Sequence, residues 1–218
     1  MEPRTITIKG TGRAISRPDQ ITIPITLTAK DLHYKKTMDI SAQQHAALQA
    51  ALAHCGIQAK DIKTSDYSVD ASYESKRDMD GNYTRHFVGY ECVHQLQIRF
   101  DLDMERLGSI LDAISGCIAE PDCSIEFSVK DTEPMMQEVL KNAAENARKK
   151  AEILARASGV ALGELLHIDY SWTDLVFTSE TVMKCKALNA PMGGMESMSI
   201  EPEDISASEN VTFTWAIS

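Results

Sequence analysis

A chain of 218 residues, 43% hydrophobic and 25% charged with 11 Gly and 7 Pro, has the size and composition of one large globular domain or two small ones. Disordered, collagen-like and coiled-coil classes are excluded. The formal charge of −10, from 22 Lys plus Arg against 32 Asp plus Glu, repels phosphate backbones and anionic lipid, so no nucleic-acid or membrane-surface partner is expected.

In chain order, Met1 to Lys9 has none of the basic region, apolar stretch and small-residue cleavage site of a secretory signal. As written the chain is expected in the cytosol, or in the periplasm or envelope if a leader has been removed. Ile6 and Ile8 alternate with Thr5, Thr7 and Lys9, and Ile21, Ile23, Ile25 and Leu27 alternate with Thr22, Pro24, Thr26 and Thr28. Both stretches have the period of two of half-buried strands. Arg17-Pro18-Asp19 supplies a turn between them, which predicts a long opening hairpin. Pro24 cannot donate to a ladder, so its strand is expected at an edge or with a bulge.

From Asp31 to Cys55, Met38, Leu48, Leu52 and Cys55 follow a helical spacing that Gly56 stops. Alternation returns at Tyr67, Val69, Ala71 and Tyr73, and again at Val88, Tyr90, Cys92, Leu96, Ile98 and Phe100, on either side of Asp80-Gly81-Asn82, so a second hairpin is predicted. Asp103 is a good N-cap for a helix whose apolar face is Leu107, Ile110, Leu111 and Ile114. Cys123, Ile125, Phe127 and Val129 alternate as a short strand. Asp131 or Thr132 with Pro134 opens a helix with the stripe Met136, Leu140, Ala143, Ala147, Ala151, Leu154 and Ser158, ended by Gly159. Its alanines permit close approach to a sheet, and Glu145 with Lys149 and Glu152 with Arg156 are i, i+4 pairs.

Leu162–Tyr170 and Ile205–Ile217 read as strands, the latter with Val211, Phe213, Trp215 and Ile217 on one face. Residues 172–204 between them lack clean periodicity and read as a long flexible loop. The order ββαββαβαββ predicts an α+β fold, a mixed, largely antiparallel sheet of long hairpins backed by three helices. Residues 1–218 are taken as one unit, or as two intimate lobes of one. No window reaches the ~20 apolar residues of a membrane span, so no membrane insertion is expected.

Gly10-Thr11-Gly12 lacks the third glycine and the following helix of a dinucleotide loop, which favours close backbone packing. Arg17 is the member of its turn that turn chemistry does not explain, and is a candidate binding point. Cys92 and His94 share a strand face, with His54 and Cys55 as further soft-metal ligands to consider, but no CxxC or HxxxH spacing supports them and no metal is assigned. The five cysteines, Cys55, Cys92, Cys117, Cys123 and Cys185, are odd in number and irregular, so reduced thiols are expected; Cys117 and Cys123 flank a loop and could pair in an oxidising compartment. No serine sits in a GxSxG elbow, and Glu201, Glu203 and Asp204 read as a solvated acidic cluster. No catalytic residue and no cofactor is assigned. Met183, Met192, Met195 and Met198, beside Gly193-Gly194, are a candidate partner-binding set, because thioether chains repack against varied shapes.

Taken together, Gly10-Thr11-Gly12, Arg17-Pro18-Asp19, Gly56-Ile57 with Asp61-Ile62-Lys63-Thr64, Gly89-Tyr90, Phe127-Ser128-Val129, the helix Ala143 to Ala155, Gly159 with Leu162-Gly163, and Val211-Thr212-Phe213 form a series from about residue 5 to 217. In order and spacing this series resembles the SIMPL-domain family. The resemblance implies an α+β fold without established enzymatic activity. It also implies bacterial relatives that are mostly periplasmic or envelope-associated, some linked to oxidative-stress defence and some forming large ring-like oligomers, and animal relatives that are adaptors of a receptor-associated kinase. The expected function is a non-enzymatic binding or assembly module that associates with itself and engages a protein partner or a small ligand. The alternative is a hydrolase or thiol-dependent stress enzyme using Cys185 or Cys92.

Overall fold

In a computed structural model, residues 4–77, 83–170, 177–181, 183–185 and 201–218 are described. Their elements are β1 (Thr5–Ser16), β2 (Gln20–Asp31), α1 (Tyr34–Ala53), β3 (Lys63–Arg77), β4 (Tyr83–Asp101), α2 (Met104–Ser115), β5 (Asp122–Ser128), α3 (Glu133–Ala157), β6 (Leu162–Asp169), β7 (Met183–Cys185) and β8 (Ile205–Ile217), with a 3-10 turn at Ala59–Asp61. The fold is α+β, as the alternation and helix signals require. The strands make two sheets, β1-β8-β6 and β3-β4-β2-β5-β7, within two compact units.

The expected opening hairpin does not form. β1 pairs with β8 from Thr5 opposite Ala216 to Ser16 opposite Ile205, whereas β2 pairs with β4. Alternation marks a strand but carries no information about its partner, and Arg17-Pro18-Asp19 connects two sheets. Pro24 is also corrected: β2 is an interior strand, and its register with β4 passes Pro24 opposite Gln97 without a shift. The second hairpin, β3 with β4, is present and runs from Lys63 opposite Gln97 to Arg77 opposite Tyr83. It carries a bulge at Gly89, whose φ of 136° suits glycine and where a Cβ would stand 2.6 Å from the Asp31 carbonyl oxygen.

The larger unit, Gln20–Phe127 with Thr181–Glu201, buries Ile21, Ile23, Ile25 and Leu27 of β2 with Leu48 and Leu52 of α1, Leu107, Ile110, Leu111 and Ile114 of α2, and Ile125 and Phe127 of β5. Asp103 caps α2 as predicted, its Oδ1 accepting from the Arg106 amide at 3.0 Å. β7 lies inside the stretch expected to be a loop and pairs antiparallel with β5; three residues are too few to show a period.

The smaller unit, Met1–Asp19, Ser128–Glu180 and Pro202–Ser218, lays α3 on the β1-β8-β6 sheet. The buried stripe of α3 is Met135, Val139, Ala143, Ala147, Ala151 and Ala155, so the predicted stripe holds in its alanine centre and shifts by one residue at its ends. The observed ion pair on this helix is Arg148 Nε to Glu152 Oε1 at 3.1 Å, one turn from either expected pair. Val211, Phe213 and Trp215 of β8 and Ile8 of β1 pack against the stripe.

Gly10 and Gly12 face this helix. A Cβ at Gly10 would run into the Ala143 carbonyl and stand 2.7 Å from the Ala147 Cβ; one at Gly12 would run into the Val139 carbonyl and stand 2.7 Å from the Ala143 amide nitrogen. Backbone atoms cannot give way as a side chain does, so Gly12→Val is expected to destabilise the chain by more than about 3 kcal/mol. A urea titration measures this, with Gly108→Ala, which meets nothing within 4 Å, as the comparison.

Candidate functional site

Beneath α1 the larger unit holds a polar group of side chains. Thr37 and Ser41 of α1 are buried where an amphipathic helix would place leucines, and Cys92 and His94 of β4 face them. The Cys92 thiol donates to Ser41 Oγ at 3.3 Å, and the Tyr67 hydroxyl of β3 donates to Met38 Sδ at 3.5 Å. Hydrogen bonding to Cys92, opposed by Ser41 and aided by burial, raises the Tyr67 pKa. His94 Nε2 lies 3.0 Å from Thr64 Oγ1, its ring is 4.9 Å from Tyr67 and 5.0 Å from His45, and its buried Nδ1 has no partner among the described residues.

The arrangement pairs His94 with the Thr64 hydroxyl and Cys92 with the Ser41 hydroxyl, so the thiol is engaged by a hydroxyl and not by the imidazole. The histidine beside His94 is His45; His54, the ligand considered from sequence, forms the C-cap of α1. Among the described residues no group of three or more His, Cys, Asp or Glu side chains could hold a metal ion. Cys55, half-buried, donates to the Ser109 carbonyl at 3.2 Å, and burial together with Asp112 pushes its pKa up, the opposite of a reactive thiolate. Cys92 is fully buried.

The remaining signature residues hold the chain in place. Arg17 is exposed, Pro18 is buried, and Asp19 accepts from the Lys130 amide at 2.8 Å while its own amide donates to the Ser128 carbonyl at 3.1 Å. Asp61 closes the 3-10 turn through the Gln58 amide at 3.3 Å, and Thr64 is the partner of His94. Tyr90 packs edge-on to Tyr34 at 5.5 Å and to Phe87 at 5.3 Å. Gly56 and Gly159, both with positive φ, follow α1 and α3, and Gly163 lies against Ala216. Met192, Met195 and Met198 lie outside the described residues.

The sheet edges differ in how they are finished. Along the outer edge of β1, alternate backbone groups are taken by successive turns of α3: Asn142 Nδ2 donates to the Arg13 carbonyl at 2.8 Å, the Thr11 amide donates to Asn146 Oδ1 at 3.1 Å, and Lys150 Nζ donates to the Lys9 carbonyl at 3.1 Å. The outer strand β3 presents exposed Lys63, Asp66, Asp70, Glu74 and Lys76. Charge and side-chain capping are two ways in which sheet edges resist pairing.

β6 has neither. It is the other outer strand of its sheet and carries Leu165, Leu166 and Ile168 at 46%, 43% and 51% exposure. Its register with β8 shifts on either side of Leu165, and such bulges turn neighbouring side chains towards one side. Beside it runs a groove of about 600 Å³ whose apolar wall is Leu162, Leu165, Phe213 and Trp215, with the Arg148–Glu152 pair on its rim. This edge was missed in the sequence because Leu162 to Tyr170 reads equally well as a buried strand.

Burial, followed by the charge of His45, lowers the His94 pKa below its ordinary 6.5. As pH falls below that value the unfolded chain takes up a proton that the native state refuses, so native stability falls with acidification. The urea midpoint is expected to drop between about pH 7 and about pH 5.5, and His94→Leu is expected to remove part of that drop. Equal pH dependence in the two proteins would contradict this.

Among curated proteins, the chain is 22% identical over 167 residues to the "26 kDa periplasmic immunogenic protein" of Brucella melitensis, covering 77% of this chain and 66% of that protein. It is 26% identical over 190 residues to "Uncharacterized protein YggE" of Edwardsiella ictaluri, covering 86% and 76%. The chain thus spans just under two thirds of the length of the Brucella relative. Among the described residues no helix is long and apolar enough to cross a membrane. Residues 6–215 match the family described as SIMPL, protein of unknown function (DUF541), and with nearly its whole length matched the chain belongs to the SIMPL family.

Proposed function

We propose that this chain is a non-enzymatic assembly module that joins a second copy of itself through β6, and that it works in the periplasm or envelope. The carrying observation is the contrast between edges: α3 side chains take outer backbone groups of β1 and five exposed charged residues line β3, whereas β6 exposes Leu165, Leu166 and Ile168. The periplasmic placement is supported by the printed name of the Brucella relative.

A two-fold antiparallel pairing of β6 with its copy, centred between Leu165 and Leu166, places Leu165 opposite Leu166 and Glu164 opposite His167, each twice. Both kinds of cross-strand pair are favourable. A self-complementary strand is what an isologous interface requires. The neighbouring groove extends the apolar contact beyond the strand itself.

Size-exclusion chromatography with light scattering across a dilution series tests the reading. A mass that is a multiple of 24.1 kDa is expected for the wild type, falling towards 24.1 kDa in Leu166→Lys and in Leu165→Lys. Both leucines are exposed, so the folded chain tolerates lysine there, and circular dichroism checks this. A wild-type monomer at every concentration, or variants that keep the larger mass, would overturn the role of β6.

A further inference from the structure

Three cations converge on a cleft at the closed edge of the smaller unit. The cleft, of about 530 Å³, lies between the outer edge of β1 and α3, and its charged lining is Arg13, Lys149 and Lys150 against the single carboxylate of Glu145. The i, i+4 pair expected between Glu145 and Lys149 is not made, and neither Arg13 nor Lys149 has a carboxylate within ion-pair reach among the described residues. Three positive charges against one negative leave the cleft a surplus of two, on a chain whose overall charge is −10.

Several donors of the cleft are held in place by the strand they cap. Asn146 Oδ1 accepts from the Thr11 amide at 3.1 Å, which fixes the side-chain amide and leaves both Nδ2 hydrogens without a partner among the described residues. Lys150 Nζ donates one hydrogen to the Lys9 carbonyl at 3.1 Å and has two more to give. Asn142 is anchored in the same way on the Arg13 carbonyl at 2.8 Å. The bonds that close the edge of β1 therefore also immobilise ligand donors, so little side-chain ordering is left for a ligand to impose.

We propose that this cleft binds a small, doubly charged oxyanion, and that the class it takes is a phosphate monoester. Such a group carries about −1.5 to −2 charge at pH 7 and three strong acceptor oxygens, which match the surplus of two positive charges and the convergent N–H donors. Arg13 brings a planar fork suited to two oxygens at once, and the two lysines bring compact charges. The ligand is small because of the rest of the chain: at −10 overall, a long polyanion or an anionic lipid surface meets repulsion beyond the cleft. Glu145 is a like charge in the lining, so its neutralisation strengthens binding while loss of a cation weakens it. The cleft and β6 lie on opposite edges of the β1-β8-β6 sheet, so binding here stands apart from the role given to β6.

The test is isothermal titration calorimetry of the full chain with inorganic phosphate, at low ionic strength held constant with chloride. One saturable site per chain is expected, with a Kd of about 1 mM or tighter. Arg13→Ala and Lys149→Ala are each expected to weaken it about tenfold and Glu145→Gln to tighten it about threefold, whereas Lys35→Ala on α1 leaves it unchanged. All four side chains are exposed, and circular dichroism checks that the variants fold. Sedimentation with phosphatidylglycerol vesicles separates a free oxyanion from a lipid headgroup, and the protein is expected to stay in the supernatant. The proposal is overturned by the absence of saturable binding up to about 10 mM phosphate, by wild-type affinity in both Arg13→Ala and Lys149→Ala, by an equal loss in Lys35→Ala, or by sedimentation with the vesicles that Arg13→Ala abolishes.

Discussion

The smaller unit depends on how near the backbone of α3 comes to the backbone of β1. Gly10 and Gly12 leave no side chain between them, and Ala143 and Ala147 leave little on the helix side. That approach brings Asn142, Asn146 and Lys150 within hydrogen-bond reach of the outer edge of β1. One feature of packing thereby settles which edge of the three-stranded sheet is closed. With β1 sealed by its helix, pairing can extend this sheet only at β6.

The larger unit is organised by a different balance. α1 buries Thr37 and Ser41 in its N-terminal half and reaches leucines only at Leu48 and Leu52. A buried hydroxyl without a partner costs about 1–3 kcal/mol, so each needs one. Thr37 Oγ1 finds the His33 carbonyl at 3.2 Å, and Ser41 takes the Cys92 thiol at 3.3 Å. The helix is therefore located on the sheet by directional contacts with β4 as well as by area. His94 belongs to the same layer, which places a titratable ring where water is scarce.

Much of this was legible in the residues. The alternation of β2, β4 and β8, the Asp103 cap and the alanine centre of α3 all follow from local physics, and the glycine pair was rightly read as a site of close backbone packing. What local physics lacks is partnership. Ile6 to Lys9 looks the same whether it pairs with its neighbour in sequence or with β8, and the turn at Pro18 suits either route. Leu165, Leu166 and Ile168 suggest burial that β6 does not receive, and nothing local in β5 points to its pairing with β7. The candidate site was least legible because edges and registers are properties of pairs of strands.

The position of β8 has a consequence for the timing of folding. It is the middle strand of its sheet and the last of the described elements, and it pairs with the first of them: Thr5 with Ala216. During synthesis β1 is made before every other described element and must wait for β8 before its ladder can form, a connection of very long range. The larger unit has its helices and its strands up to β5 complete long before that. The nascent protein thus passes through a stage in which α3 has no finished sheet to cover, and its alanine stripe is left to whatever binds unfinished chains.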